Sequence, residues 1–346
     1  MYSLVIFLVV FLIFVYSCIS DGKEVREKAV FSKEYSMSLK GMLSIIIVIH
    51  HYSLSSLFDE SVLQTFYRMI GYPCVAVFFF ISGYGIAYSF KNKENYGQRF
   101  VKGKIWNIVL PYMVSTCVYF TARVAWGGGK NEIRIIVDDM KRGLPVSANS
   151  WYIVVILILY LFYFFSYKLR EPFYHICVGL FCIIYFFIMK DFLKWPTNWF
   201  GTFFCFFIGV DFLKLSNKFE CSKRRRCMLF LGFLSSFSFT LIYQNTEAWL
   251  YFEILGSVCI VLFSYFISTI IAFKDNSLLE KIGKYSLYIY LYHGLAIQVI
   301  NKLFPSKWIY LNCFLVVFFS VIGGKCIYTL HNKIQKIMSI HGVNSK

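Results

Sequence analysis

Lys40-Gly41-Met42-Leu43-Ser44-Ile45-Ile46-Ile47-Val48-Ile49-His50-His51 is the stretch on which the fold turns. A lysine opens it, an uncharged apolar run follows, and two histidines close it. Such a run, at about 41–54, reads as a helix entering an apolar layer from a basic loop. Working outward, similar runs recur at about 1–19, 70–90, 105–126, 150–167, 176–189, 199–213, 228–243, 249–273, 285–301 and 308–330. A spanning helix needs about 20 residues, so 346 residues accommodate this many with short loops. The pattern predicts an all-α fold, a polytopic transmembrane helical bundle of about 10–11 spans.

Composition agrees with that reading. The chain is 58% hydrophobic, 21% aromatic and 15% charged, with a mean hydropathy of +0.62. A soluble domain is nearer 45–50% apolar and about 25% charged. A soluble cytosolic enzyme is excluded, and so is a disordered or fibrous chain. Eleven cysteines, mostly inside apolar runs and without a Cys-x-x-Cys pair, read as small buried hydrophobes. They suggest neither a disulfide framework nor a metal site.

The net charge of +17 has two possible meanings. In a soluble protein it would suggest nucleic acid; in a membrane protein it marks cytoplasmic loops. Placement decides. With the N-terminus outside, the inner segments hold 25 of the 35 Lys and Arg and the outer ones nine. This predicts a multi-pass plasma (inner) membrane protein with its N-terminus outside, its C-terminus cytoplasmic and no nucleic-acid partner. The densest cluster, Lys218 with Lys223 to Arg226, reads as a topology signal in contact with membrane lipids. Met1–Ile19 lacks a basic n-region and a small-residue cleavage site, so it reads as an uncleaved span. The expected division is an extra span and basic loop over 1–39, a main membrane domain over 40–330 and a cytoplasmic tail over 331–346. The longest outer loop is expected at about 127–149.

Titratable groups at bilayer depth are functional candidates by default. Lys40 and His51 are eleven residues apart, nearly three full turns, and so share one helix face. Entering from the cytoplasm, the helix carries His51 roughly 15 Å deep, near the middle of a core about 30 Å thick. A neutral imidazole there can take a proton from a hydroxyl and return it. A lysine at the boundary can hold phosphate as a point charge. On the third span Ser82 reaches a similar depth, as a substrate-lining or a helix-packing residue. His293 lies near mid-depth on a later span, and Tyr285, Tyr288 and Tyr292 form a stripe beside it. Glu253, near an outer helix end, either meets a hydroxylated external ligand or pairs with Arg123.

Five segments together resemble the membrane acyltransferase type 3 family, integral membrane O-acyltransferases of bacterial surface polysaccharides. The first is Lys40, ten residues, then His51. The others are Phe79-Phe80-Ile81-Ser82-Gly83, the basic run from Arg99 through Lys102 and Lys104 to Pro111-Tyr112, the Trp151-Tyr152 pair, and Ser286 to His293. Their order and spacing fit from about Lys40 to Leu330. The family often has Arg where Lys40 stands, and often paired Arg where this chain has Lys104 and Asn107.

The resemblance implies transfer of an acyl group, usually acetyl, from cytoplasmic acyl-CoA to a sugar hydroxyl. It implies His51 as the base, and Lys40 with the basic segment (Arg99, Lys102, Lys104) as contacts for acetyl-CoA. Ser82 is then expected to help hold the oxyanion, while Glu253, His293 and Tyr288 are candidates on the acceptor side. The expected partners are acyl-CoA and a cell-surface or lipid-linked glycan, with no metal. A proton-coupled transporter or flippase of a sugar-containing substrate is the alternative, because many spans with buried His and Glu suit transport too. No inverted repeat is visible to support it.

Overall fold

The computed structural model describes residues 12–18, 31–55, 62–127, 130–147, 149–215, 222–243, 246–304 and 308–343. Most of the expected first span Met1–Ile19, most of the basic stretch after it, and Gly128-Gly129 lie outside these. Helix makes up 84% and no strand forms among the described residues. In chain order the helices are α1 (Lys33–Ser55), α2 (Val62–Met69), α3 (Gly71–Asn92), α4 (Tyr96–Phe100), α5 (Trp106–Gly127), α6 (Lys130–Lys141), α7 (Trp151–Ser166), α8 (Phe173–Phe187), α9 (Cys205–Leu215), α10 (Lys223–Ile242), α11 (Ala248–Ile267), α12 (Leu278–Lys284), α13 (Ser286–Leu303) and α14 (Ile309–Val343).

Seven helical stretches among the described residues are long and apolar enough to cross a membrane. Large apolar side chains stay on the outside, Phe165 77% and Phe192 82% exposed, as lipid-facing surface requires. Three expected elements take another form. The expected span at 199–213 becomes a 3-10 turn, Thr197–Trp199, followed by the 11-residue α9. The expected span at 285–301 is α13, whose tyrosines, His293 and Asn301 dilute its apolar character. The expected loop at 127–149 contains the 12-residue α6.

The charges of α6 have a purpose that a loop reading misses. Arg123 on α5 binds Glu132 at 2.8 Å and Asp139 at 2.9 Å, and Asp139 also pairs with Arg142. The chain leaves α6 through Gly143 at φ 76°, with the Trp195 ring pressed against it; a Cβ there would lie 2.6 Å from the ring. Trp195 and Trp199 donate their indole N–H groups to the carbonyls of Lys141 and Gly143.

The chain forms two compact units. The first is built from the described residues up to Arg68 and from Ala272 onward; the second runs from Met69 to Ile271. In the first, α1 packs on α12, α13 and α14. The α1–α12 crossing is backbone against backbone. A Cβ on Gly41 would collide with the Leu279 carbonyl oxygen, and one on Gly283 with the Met37 carbonyl oxygen. Small residues permit this approach, which is how helices associate where lipid offers no hydrophobic drive. Ser38 and Ser277 add a hydroxyl pair at 3.3 Å. The Tyr52 hydroxyl donates to the Ile309 carbonyl, tying α1 to α14.

The second unit repeats the device. α9 lies along α3, where a Cβ on Gly83 would strike the Phe206 carbonyl and one on Gly209 the Phe80 carbonyl. α10 and α11 pair as a hairpin, and α11 also packs on α3. Aromatic rings fill the spaces, with Phe90 4.4 Å from Tyr167 and Phe100 stacked 5.3 Å from Phe164.

Candidate functional site

In the first unit, α1 carries both Lys40 and His51 on one uninterrupted helix. Ser44, one turn from Lys40, donates its hydroxyl back to the Lys40 carbonyl at 2.7 Å. Gly41 holds this end of α1 against α12, so the position of Lys40 is set by the crossing.

His51 stands in a column of three imidazoles. Its ring stacks on His293 of α13 at 4.9 Å between centroids, and lies 4.7 Å from His50. The proton positions on the outer two rings follow from their partners. His293 Nδ1 lies 2.7 Å from the Tyr290 carbonyl, and His50 Nδ1 lies 3.0 Å from the Tyr67 carbonyl. A carbonyl only accepts, so each Nδ1 carries the hydrogen. Each Nε2 is then a bare acceptor. That of His293 is fully buried and has no hydrogen-bond partner among the described residues. The arrangement leaves a buried acceptor, His293 Nε2, in the ring that stacks on His51.

Tyr288 occupies a different place. It is buried, and its ring meets Tyr328 at 5.6 Å and His331 at 5.8 Å on α14. The tyrosine stripe packs α13 onto α14. His50, about 100° round the helix from His51 by its position, is part of the imidazole column, its ring 4.7 Å from that of His51.

In the second unit, two of the five motif segments meet. The Ser82 hydroxyl lies 3.3 Å from the Tyr152 hydroxyl. The Tyr152 ring packs on Phe79 at 4.7 Å. The motif is divided by role: Phe79 seats Tyr152, Phe80 packs on Phe212, Ser82 pairs with Tyr152 and Gly83 admits α9.

The basic segment has an irregular backbone. Between α4 and α5 the chain takes one π turn, Val101–Ile105, which carries Lys102 and Lys104. Such turns insert an extra residue into a helix and frequently mark functional positions. Lys104 folds inward, its ammonium 5.2 Å above the Tyr160 ring. Arg99 donates to the Glu94 carbonyl at 2.9 Å, and Lys102 stays exposed. Glu253 is buried on α11 and makes no ion pair with Arg123, which is engaged by Glu132 and Asp139. No group of three or more His, Cys, Asp or Glu among the described residues could hold a metal ion.

Neither the curated proteins nor the solved structures contain a match to this chain. The family model described as an acyltransferase domain matches residues 34–329, a segment that begins six residues before Lys40 and ends within α14. This span covers most of the chain and contains both the imidazole column and the Ser82–Tyr152 pair. The chain therefore belongs to the acyltransferase type 3 family and is a multi-pass membrane acyltransferase.

Proposed function

We propose that this enzyme moves an acetyl group from cytoplasmic acetyl-CoA to a hydroxyl of a cell-surface or lipid-linked glycan, with His51 as the base. The observation that carries the reading is the single helix α1, which carries Lys40 and, eleven residues further on, His51 in a column of three imidazoles. The 25-to-nine division of basic residues favours a cytoplasmic Lys40 end in the plasma membrane.

In the proposed reaction Lys40 neutralises a donor phosphate. His51 takes the proton of the acceptor hydroxyl. The oxygen attacks the thioester carbonyl, the C–S bond breaks, and the proton returns to the departing CoA sulfur.

Mass spectrometry of surface glycans from cells with and without the gene tests the reaction class. The expected result is a glycan lighter by one acetyl group when the gene is deleted. Identical glycans, with movement of a sugar substrate lost instead, would favour transport. The donor contact has its own measurement. Lys40→Ala is expected to raise the apparent KM for acetyl-CoA roughly tenfold or more, the size expected for losing one charge-assisted contact, with less effect on kcat. An unchanged KM removes Lys40 from the donor site.

A further inference from the structure

The second unit contains a group of buried polar atoms that the proposed chemistry does not use. Glu253 is 2% exposed, and its Oε2 has no hydrogen-bond partner among the described residues. Helical spacing puts Trp249, Glu253 and Ser257 at i, i+4 and i+8, on one stripe of α11. The Trp249 indole nitrogen and the Ser257 hydroxyl are likewise buried without a partner. Burying a polar group without a hydrogen bond costs free energy, and most buried groups in folded proteins are satisfied. Three unsatisfied groups on one helix stripe call for something that satisfies them.

The surroundings give the stripe walls. Tyr72 of α3 brings its hydroxyl within 2.8 Å of where a Cβ on Gly256 would stand. Ser236 and Thr240 of α10 are both buried, and Ser236 Cβ is 3.3 Å from the same point. Opposite the carboxylate is Gly201, where a Cβ would lie 2.6 Å from Glu253 Oε1. That turn therefore admits no side chain beside the carboxylate.

The position in the fold is also informative. Glu253 is the sixth residue of α11, about 8 Å from the helix start. Tyr72 is the second residue of α3, and Thr240 stands two before the end of α10. All lie toward the end of the unit away from Lys223 to Arg226, which open α10. By the distribution of basic residues this is the extracytoplasmic end.

The atoms select the ligand class. A carboxylate accepts, an indole N–H donates, and hydroxyls do both. A divalent cation would lack ligands, since no group of three or more His, Cys, Asp or Glu among the described residues could hold a metal ion. An ammonium only donates and would leave the indole unsatisfied. Sugar hydroxyls donate and accept, and sugar C–H faces rest on aromatic rings such as Trp249 and Tyr72.

We propose that Glu253, Trp249, Ser257 and Tyr72 form a carbohydrate subsite that holds a sugar ring of the acceptor glycan. This rests on the reading of the chain as a glycan acyltransferase. The test is saturation-transfer NMR of a panel of methyl glycosides (glucoside, galactoside, mannoside and N-acetylglucosaminide) with the full chain in lipid nanodiscs, free of sugar-headed detergent. The expected result is transfer to at least one glycoside, reduced roughly tenfold or more in Glu253→Gln, reduced in Ser257→Ala, and unchanged in Gly85→Ala, where a Cβ meets nothing within 4 Å. Transfer to none of the panel, or equal transfer to wild type and Glu253→Gln, overturns the subsite. Should Glu253→Gln fail to fold, Ser257→Ala and Trp249→Phe decide in its place. The readout needs no turnover. Glycoside binding through Glu253 in a chain that acylates no glycan would sink the acyltransfer reading and leave the subsite standing.

Discussion

Replacing His51 with alanine lowers acetyl transfer to surface glycan by roughly 10²–10⁴-fold, the range for removing a general base, while the protein stays in the membrane at its normal amount. The structure says why neither neighbour substitutes. His50 and His293 each have Nδ1 committed to a backbone carbonyl, so their rings are held in place by α2 and α13 backbone. Neither can swing into the vacated position without breaking that bond. Among the described residues His51 has no such tether in its stack between them. The loss should therefore appear in kcat, with the KM for acetyl-CoA little changed, because Lys40 remains. Radiolabelled acetyl transfer in membrane vesicles measures it. Full activity in His51→Ala at normal expression would remove the histidine from the chemistry.

Gly83→Ala destabilises the protein while Gly85→Ala does not, although the two glycines are separated by one residue of the same helix. At Gly83 the added methyl group meets the Phe206 carbonyl, which belongs to a helix backbone and cannot rotate away. Forcing extra volume into a packed contact costs about 1–3 kcal/mol, more when backbone must move. At Gly85 a Cβ meets nothing within 4 Å. Alanine there replaces the poorest non-proline helix former and is neutral or stabilising by up to about 1 kcal/mol. Thermal unfolding in nanodiscs compares them. Equal melting temperatures for the two variants would contradict the close α3–α9 contact.

The helical class and most of the spans were legible in the sequence because uncharged runs have one stable form in lipid, where every backbone group must be satisfied internally. The Lys40–His51 relation was legible because both lie on one helix, so spacing alone fixes their angle. What was not legible depends on partners far along the chain. Nothing around residue 200 announces that the run of phenylalanines opens with a 3-10 turn, or that Gly209 will dock on Phe80 far along the chain. The charges at 130–142 looked like loop because their counter-ion, Arg123, sits on the preceding helix. His50 escaped because the face argument follows Cα directions and not the reach of a ring. The π turn at Val101–Ile105 has no residue signature of its own.

The glycine-to-carbonyl crossing of α1 and α12 has one more consequence. With Gly41 and Gly283 each seated against the other helix's backbone, α1 cannot slide lengthwise like a piston. The distance from Lys40 to His51, eleven residues or about 16 Å along the helix axis, then acts as a fixed ruler. A donor anchored at Lys40 must carry its reactive carbon on an arm of matching length. Acetyl-CoA places a long flexible arm between its phosphates and its thioester. Acetyl phosphate has none, and held at Lys40 it would leave its acyl carbon far short of the imidazole.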